Sequence, residues 1–237
     1  QFRNESHYLL SYLAAALFAD KRELFVDYVA WSKVAYATRG SVSGELLFNL
    51  RCLCDALRFE LPLASAEVAT AFVRHAIEQL PGLPDEIPTF ISPEQPYTLL
   101  ARQYMQLLIQ GDRRLASRLI VDAVENGTSV RDIYVYVFQR TQYEIGRLWQ
   151  TNQISVAREH FCTAATQWIM AQLYPHILAG RENTGKVIVT TCVAGDQHEL
   201  GVRMVADFFE MAGWKSYCLG ANTPTASIVS EIVERKA

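Results

Sequence analysis

Lys186-Val-Ile-Val-Thr-Thr-Cys-Val-Ala-Gly-Asp-Gln-His-Glu-Leu-Gly201 is the stretch whose reading decides the fold. Its first half is a continuous β-branched run bounded by Gly185 and Gly195, the pattern of a buried parallel strand. From Leu200 to Ala212 the sequence reads as helix and Gly213 breaks it; Trp214 to Leu219 is a second predicted strand and Thr225 to Lys236 a second helix. Strand, helix, strand, helix is the start of a doubly wound, Rossmann-like α/β domain. Two parallel strands leave the faces and edges of a sheet poorly covered, and sheets usually hold about four to six strands, so the expectation is a truncated domain that continues past Ala237.

Upstream, four helices are predicted: Tyr97 to Gln110, Asp112 to Asn126, Ser129 to about Asn152, and Ser155 to Tyr174 before Pro175. Gly111 and Gly127 end the first two, and Ser129 with Asp132 opens the third by the capping-box rule. Short connections between long amphipathic helices imply antiparallel neighbours, hence a four-helix bundle over 97–180. Five of the eight prolines (81, 84, 88, 93 and 96) mark 81–96 as extended, semi-rigid linker.

Residues 1–80 read as a further helical domain with a wide aromatic face. Its helices are expected over Tyr8 to Phe18, after Asp20, from about Ser43 to before Pro62, and from a Ser65 cap to Leu80. The second should use Asp20 and Glu23 as a capping pair, carry Leu24, Tyr28, Trp31 and Ala35 on one stripe, and end at Gly40. The fold class is therefore mainly α with a C-terminal α/β segment: a helical domain, a four-helix bundle, and the first strands of a Rossmann-like domain over 185–237.

Composition narrows the function classes. With 22 Lys and Arg against 25 Asp and Glu, the net charge is −3, which excludes direct nucleic-acid binding by bulk positive charge. Half the residues are hydrophobic, ample for a core, yet no apolar run reaches the roughly 18 residues that cross a bilayer. Residues 1 to 20 lack the marks of a signal peptide, so a soluble, cytoplasmic protein without a membrane partner is expected. The cysteines at 52, 54, 162, 192 and 218 form no CxxC pair and read as reduced, mostly buried thiols.

The chemistry concentrates after the first strand. Loops at the carboxyl ends of strands line the ligand crevice of an open α/β sheet, so His198 is placed there to act. Asp196, two residues earlier, is positioned to take the imidazole Nδ1 proton and leave Nε2 free as a metal ligand. Gly201 lets a bulky ligand approach the backbone. Taken alone, the motif is also what a loop histidine with a carboxylate neighbour looks like.

Asp196-x-His198-x-x-Gly201 after a strand, preceded by a four-helix bundle, resembles the cobalamin-binding modules of methionine synthase and the corrinoid proteins. The resemblance implies that His198 displaces the cofactor's own base and becomes the lower axial ligand of cobalt. Leu219-Gly220-Ala221-Asn222-Thr223-Pro224 looks like that family's next ligand-side loop. The Ser-x-Leu and Gly-Gly with which the family holds the nucleotide tail, further along the domain, are not found between Gly201 and Ala237.

A second motif lies in the bundle: Trp149 and, after nine intervening residues, Glu159-His160. This is similar to the Trp-x9-Glu-His signature of light-sensing adenosylcobalamin receptors. It implies that Trp149 and Glu159 pack around the upper adenosyl group and that His160 binds cobalt from above after light breaks the cobalt–carbon bond. Cys162 to Thr166 are five small residues in a row, a helix thin enough for a flat macrocycle. His160, Ala164 and Gln167 share one face by helical spacing, and Glu159, Cys162, Thr163 and Thr166 the adjacent one.

The resulting expectation is a cobalamin-binding photosensory regulatory module, adenosylcobalamin being its cofactor, acting on an output partner and capable of homo-oligomerisation. The principal rival is a corrinoid carrier, an enzyme component of methyl transfer; cobalamin storage or delivery is a third possibility. Residues 1–80 read as a packing or dimerisation domain, the alternative being a second chromophore site, since the class includes members that also bind a bilin. His7, His75, Trp31 and Arg39 are the residues available for one.

Overall fold

The computed structural model describes residues 2–40, 44–179 and 182–237. The chain divides into two compact units, one made of the residues up to Pro88 with Arg147–Ile154, the other of Thr89–Gly146 with Ser155–Ala237.

The first unit holds α1 (Phe2–Phe18), α2 (Arg22–Thr38), α3 (Glu45–Glu60), α4 (Leu63–Gln79) and a 3-10 turn over Leu80–Gly82. Leu13, Phe25, Val29, Leu50, Phe72 and Val73 build its core. This corrects the expected α2 stripe: Phe25 and Val29 face inward, while Leu24 and Trp31 stay substantially exposed. The apolar side chains go to the dry side, and rings with a polar tip line up on another. Tyr12 stacks on Tyr28 at 4.3 Å and Tyr28 on Trp31 at 6.1 Å, and Trp149 closes the row at 6.5 Å from Trp31.

The expected caps of this unit also change. Asp20 adopts φ +51 and Lys21 takes the position before α2 without a side-chain hydrogen bond; α4 begins at Leu63 after Pro62, not at Ser65. Proline pre-set at the entrance replaces the serine cap, as its missing N–H costs nothing there. The expected start at Ser43 lies outside the described residues.

The second unit contains α5 (Thr98–Gln110), α6 (Arg113–Glu125), α7 (Val130–Asp132), a π segment over Ile133–Phe138, α8 (Gln139–Gln150, whose last residues belong to the first unit), α9 (Val156–Gln172) and α10 (Tyr174–Leu178). Asp112, Ser129 and Ser155 each accept a backbone N–H of the helix they open. Tyr104, Leu108, Ile120, Val137, Phe138 and Ile169 are fully buried. The segment leading into α5 is pinned: the Thr89 hydroxyl and Phe90 N–H donate to buried Glu144 at 3.0 and 2.8 Å.

The same unit ends in β1 (Val187–Thr190), α11 (Glu199–Met211), β2 (Lys215–Cys218) and α12 (Thr225–Arg235). The strands pair in parallel, Val187 with Lys215 through Thr190 with Cys218. The ladder is shorter than the β-branched run, but Cys192 N–H still reaches Gly220 O at 3.0 Å, which holds the two strand ends together. Gly213 must be glycine, since it adopts φ +83 and a Cβ there would collide with the carbonyl of Glu182.

One buried carboxylate joins α11 to the bundle. Asp207 is fully buried and accepts the hydroxyls of Tyr134, in the π segment, at 2.7 Å and Tyr174, in α10, at 2.9 Å. Burial pushes the Asp207 carboxyl up, opposed by these two hydrogen bonds and by Arg203. The Tyr174 hydroxyl is pushed up to about 12, first by burial and then by Asp207, so both tyrosines stay donors.

Tyr134→Phe should lower stability by about 1–3 kcal/mol in urea melts, as a buried carboxylate loses a donor; an unchanged midpoint would contradict the joint. Because the Asp207 carboxyl lies above its unfolded value, its contribution to stability is greatest at low pH and is lost as pH rises through the folded value. The stability gap between the native chain and Asp207→Asn should therefore be larger at about pH 4 than at about pH 7, and a gap that widens with pH would count against it.

Candidate functional site

The loop from β1 to α11 is shaped around Asp196. Gly195 turns the chain at φ +86, and Asp196 Oδ1 then accepts two hydrogen bonds from one residue, the His198 backbone N–H at 2.9 Å and the ring Nδ1 at 2.7 Å. The His198 backbone N–H first, and then its ring, hold the Asp196 carboxyl below the ordinary range. The imidazole thus has its Nδ1 committed to a carboxylate while 95% of its side chain remains exposed. Its Nε2 has no partner among the described residues. This is the arrangement in which a carboxylate fixes the tautomer and presents Nε2 as a donor.

The surroundings leave room. A Cβ added at Gly201 would meet nothing within 4 Å, so the protein's own packing does not demand glycine there. Gly220, at φ +69 after β2, is closer: a Cβ would lie 3.1 Å from Glu199 Oε2. Glu199 in turn accepts Gln167 Nε2 of α9 at 3.0 Å, linking the bundle to the residue beside His198. Gln197 donates to Asn222 at 3.4 Å and joins the two strand-end loops.

A second polar group lies on α9. His160 Nδ1 pairs with Glu159 Oε2, and the His160 side chain is 75% exposed. Thr163 lies within hydrogen-bond distance, 3.0 Å, of both Glu159 Oε1 and Gln142 Oε1 of α8. The expected adjacent face is corrected here: Cys162 and Thr166 point into the bundle core and are fully buried, with burial pushing the Cys162 thiol up to about 11. Ala164 and Thr163 remain at least partly exposed. The small-residue run therefore divides between core and surface, because a 3.6-residue turn cannot put five successive residues on one side.

Glu159, His160, Thr163, Gln167, Asp196, His198, Gly201 and Gly220 belong to the second unit, and Trp149 belongs to the first beside Trp31. Among the described residues no cluster of three His, Cys, Asp or Glu forms a metal site made by the protein alone. His7 and Arg39 are exposed, His75 is half-buried, and no hydrogen bond or ring contact among the described residues joins any two of His7, His75, Trp31 and Arg39. Sequence reasoning missed Gln142 and Glu199. Thr163 stands four residues after Glu159 and shares its face, but the pairing with Gln142 exists only where α8 lies beside α9.

Residues 100–174 match a B12 binding domain model and residues 186–237 match another. Among curated proteins, the HTH-type transcriptional repressor CarA of Myxococcus xanthus is 29% identical over 82 residues, 35% of this chain and 28% of that protein. The matched region thus spans little more than a quarter of that relative's length. Among solved structures, the monomethylamine corrinoid protein of Methanosarcina barkeri superposes with a TM-score of 0.51 at 17% identity, over 60% of this chain and 66% of that one. At this identity the likeness is one of fold. Together the two domain matches and the likeness to CarA support a cobalamin-binding family.

Asp196→Ala should release the His198 ring and raise the population of its Nε2–H tautomer, read by long-range proton–nitrogen NMR at a pH where the ring is neutral. A tautomer ratio indifferent to Asp196 would dismiss its orienting role.

Proposed function

We propose that this chain, with its two B12-binding domain regions, is a light-sensing regulatory module that holds adenosylcobalamin. The observation that carries cobalamin binding in this reading is the Asp196–His198 pair, an exposed imidazole whose Nδ1 is held at 2.7 Å by a carboxylate on a loop beside the open space at Gly201; a corrinoid carrier would share it, and the upper cap separates the two. The residues present fit a cobalamin, since they supply one well-oriented nitrogen donor and backbone clearance, and the protein itself offers no competing metal cluster among the described residues.

In this reading His198 would hold the cobalt through Nε2 with Asp196 as its orienting partner, and Gly201 and Gly220 would be the close backbone of the binding face. The bundle over 97–180 is the upper cap and 185–237 the base. When bound, adenosylcobalamin supplies a light-labile cobalt–carbon bond. Glu159, bonded to Thr163, would offer a polar contact toward the upper group, Gln167 ties α9 to Glu199, and His160 is the second exposed imidazole that could serve as a donor. The Trp-x9-Glu-His spacing, with Trp149 at its head, and the likeness to CarA favour a sensor. What the module regulates would be read by a partner that senses a shift between two arrangements of the cap.

The test is the visible spectrum of the protein loaded with adenosylcobalamin. Green light should convert it to a stable new spectrum where red light does not, and His198→Ala should weaken binding or restore the spectrum of the base-on cofactor. A spectrum insensitive to green light, together with turnover of a methyl group by a partner enzyme, would replace the sensor with a corrinoid carrier.

A further inference from the structure

The polar face of α9 continues inward from Glu159. Thr163 lies one helical turn on, 3.0 Å from Glu159 Oε1 and 3.0 Å from Gln142 Oε1. Gln142 Nε2 donates to Thr166 Oγ1 at 2.8 Å, and Thr166 meets the Tyr104 hydroxyl at 2.9 Å. Thr166 and Tyr104 are fully buried, so a continuous hydrogen-bonded chain crosses α9, α8 and α5 from half-buried Glu159, paired with exposed His160, to the bundle core.

Its protons are constrained. A threonine hydroxyl carries one proton, so Thr163 can donate to Gln142 or to Glu159 but not to both. With the amide as it stands, Gln142 Oε1 competes with the carboxylate for that proton. Turned end for end, the amide would accept from Thr166, in place of the Cys162 carbonyl that lies 2.9 Å from the same hydroxyl, and would donate to Thr163. Tyr104, Thr166, Gln142 and Thr163 would then form a one-way series of donors ending on Glu159, and bonds aligned in this way polarise and strengthen one another.

We infer that Thr163 and Gln142 are positioning residues that orient Glu159 toward the upper ligand, with buried Tyr104 as their anchor. The inference rests on the reading of Glu159 given above. It makes selectivity for the upper ligand depend on two residues that belong to neither recognised motif. Neither of them touches the exposed imidazoles, so their effect should appear in which cobalamin is preferred rather than in whether one is held.

Two measurements test it. In the ligand-free protein, the Gln142 side-chain amide resonances should shift in Thr163→Val and return close to native in Thr163→Ser. With cofactor, Thr163→Val should weaken adenosylcobalamin binding about fivefold, the loss of one hydrogen bond, while hydroxocobalamin binding stays within about twofold. Thr163→Ser should restore the preference, and Gln142→Leu should reproduce its loss should Thr163→Val fold poorly. Equal weakening toward both cobalamins, or a Gln142 amide indifferent to Thr163, overturns the inference while leaving the sensor reading intact. A native chain that binds neither cobalamin overturns both.

Discussion

The buried Asp207 carboxylate is the constraint on which the second unit depends. It accepts hydroxyls from Tyr134 and Tyr174, so one side chain of α11 is held by the π segment and by α10 together. Burying a carboxylate is expensive unless its lone pairs are occupied, and two tyrosine donors compensate here without a direct countercharge. The π segment contributes to this placement. Its extra residue per turn changes the facing of the side chains that follow, and Tyr134 emerges fully buried, edge-on to Phe208. Because α11 begins at Glu199, its anchorage at Asp207 also positions the loop that carries His198.

Around that anchor the candidate site divides into a rigid and an open part. The Asp196 carboxylate is committed to His198 twice, through backbone and ring, so the imidazole is oriented although almost all of it faces solvent. The polar groups of α9 behave differently. Glu159 and His160 are paired at the surface, and their support runs inward through Thr163 and Gln142 to a buried tyrosine. One imidazole is thus presented by a tight local turn and the other by a helix.

Legibility in the sequence followed the range of the interactions. Helix ends governed by a neighbouring residue were readable: Gly111 and Gly127 take positive φ, and Ser129 and Ser155 accept the N–H groups that their positions implied. The Asp196–Nδ1 bond was readable for the same reason, since two residues of separation leave a carboxylate few other partners. The α2 stripe was not. Leu24, Tyr28 and Trp31 share a helical face, as do Phe25 and Val29, and only the packing of α1, α3 and α4 selects the second as core. Cys162 and Thr166 misled similarly, because small size told of a thin helix without telling which side faced the bundle.

The sequence by itself determined the order of the main helices and strands but not the π segment over Ile133–Phe138, and it determined the parallel strand pair with its crossover helix, the carboxylate–imidazole motif after β1 and the adjacency of Glu159 and His160. Each of these is set by residues a few positions apart, through propensity, periodicity and local hydrogen bonds. Tertiary structure alone decided the Tyr134–Asp207–Tyr174 joint, the Gln167–Glu199 link and the chain from Glu159 to Tyr104. These join residues distant in the chain, and a polar side chain gains such a partner only when packing buries it beside one and makes an unsatisfied alternative costly.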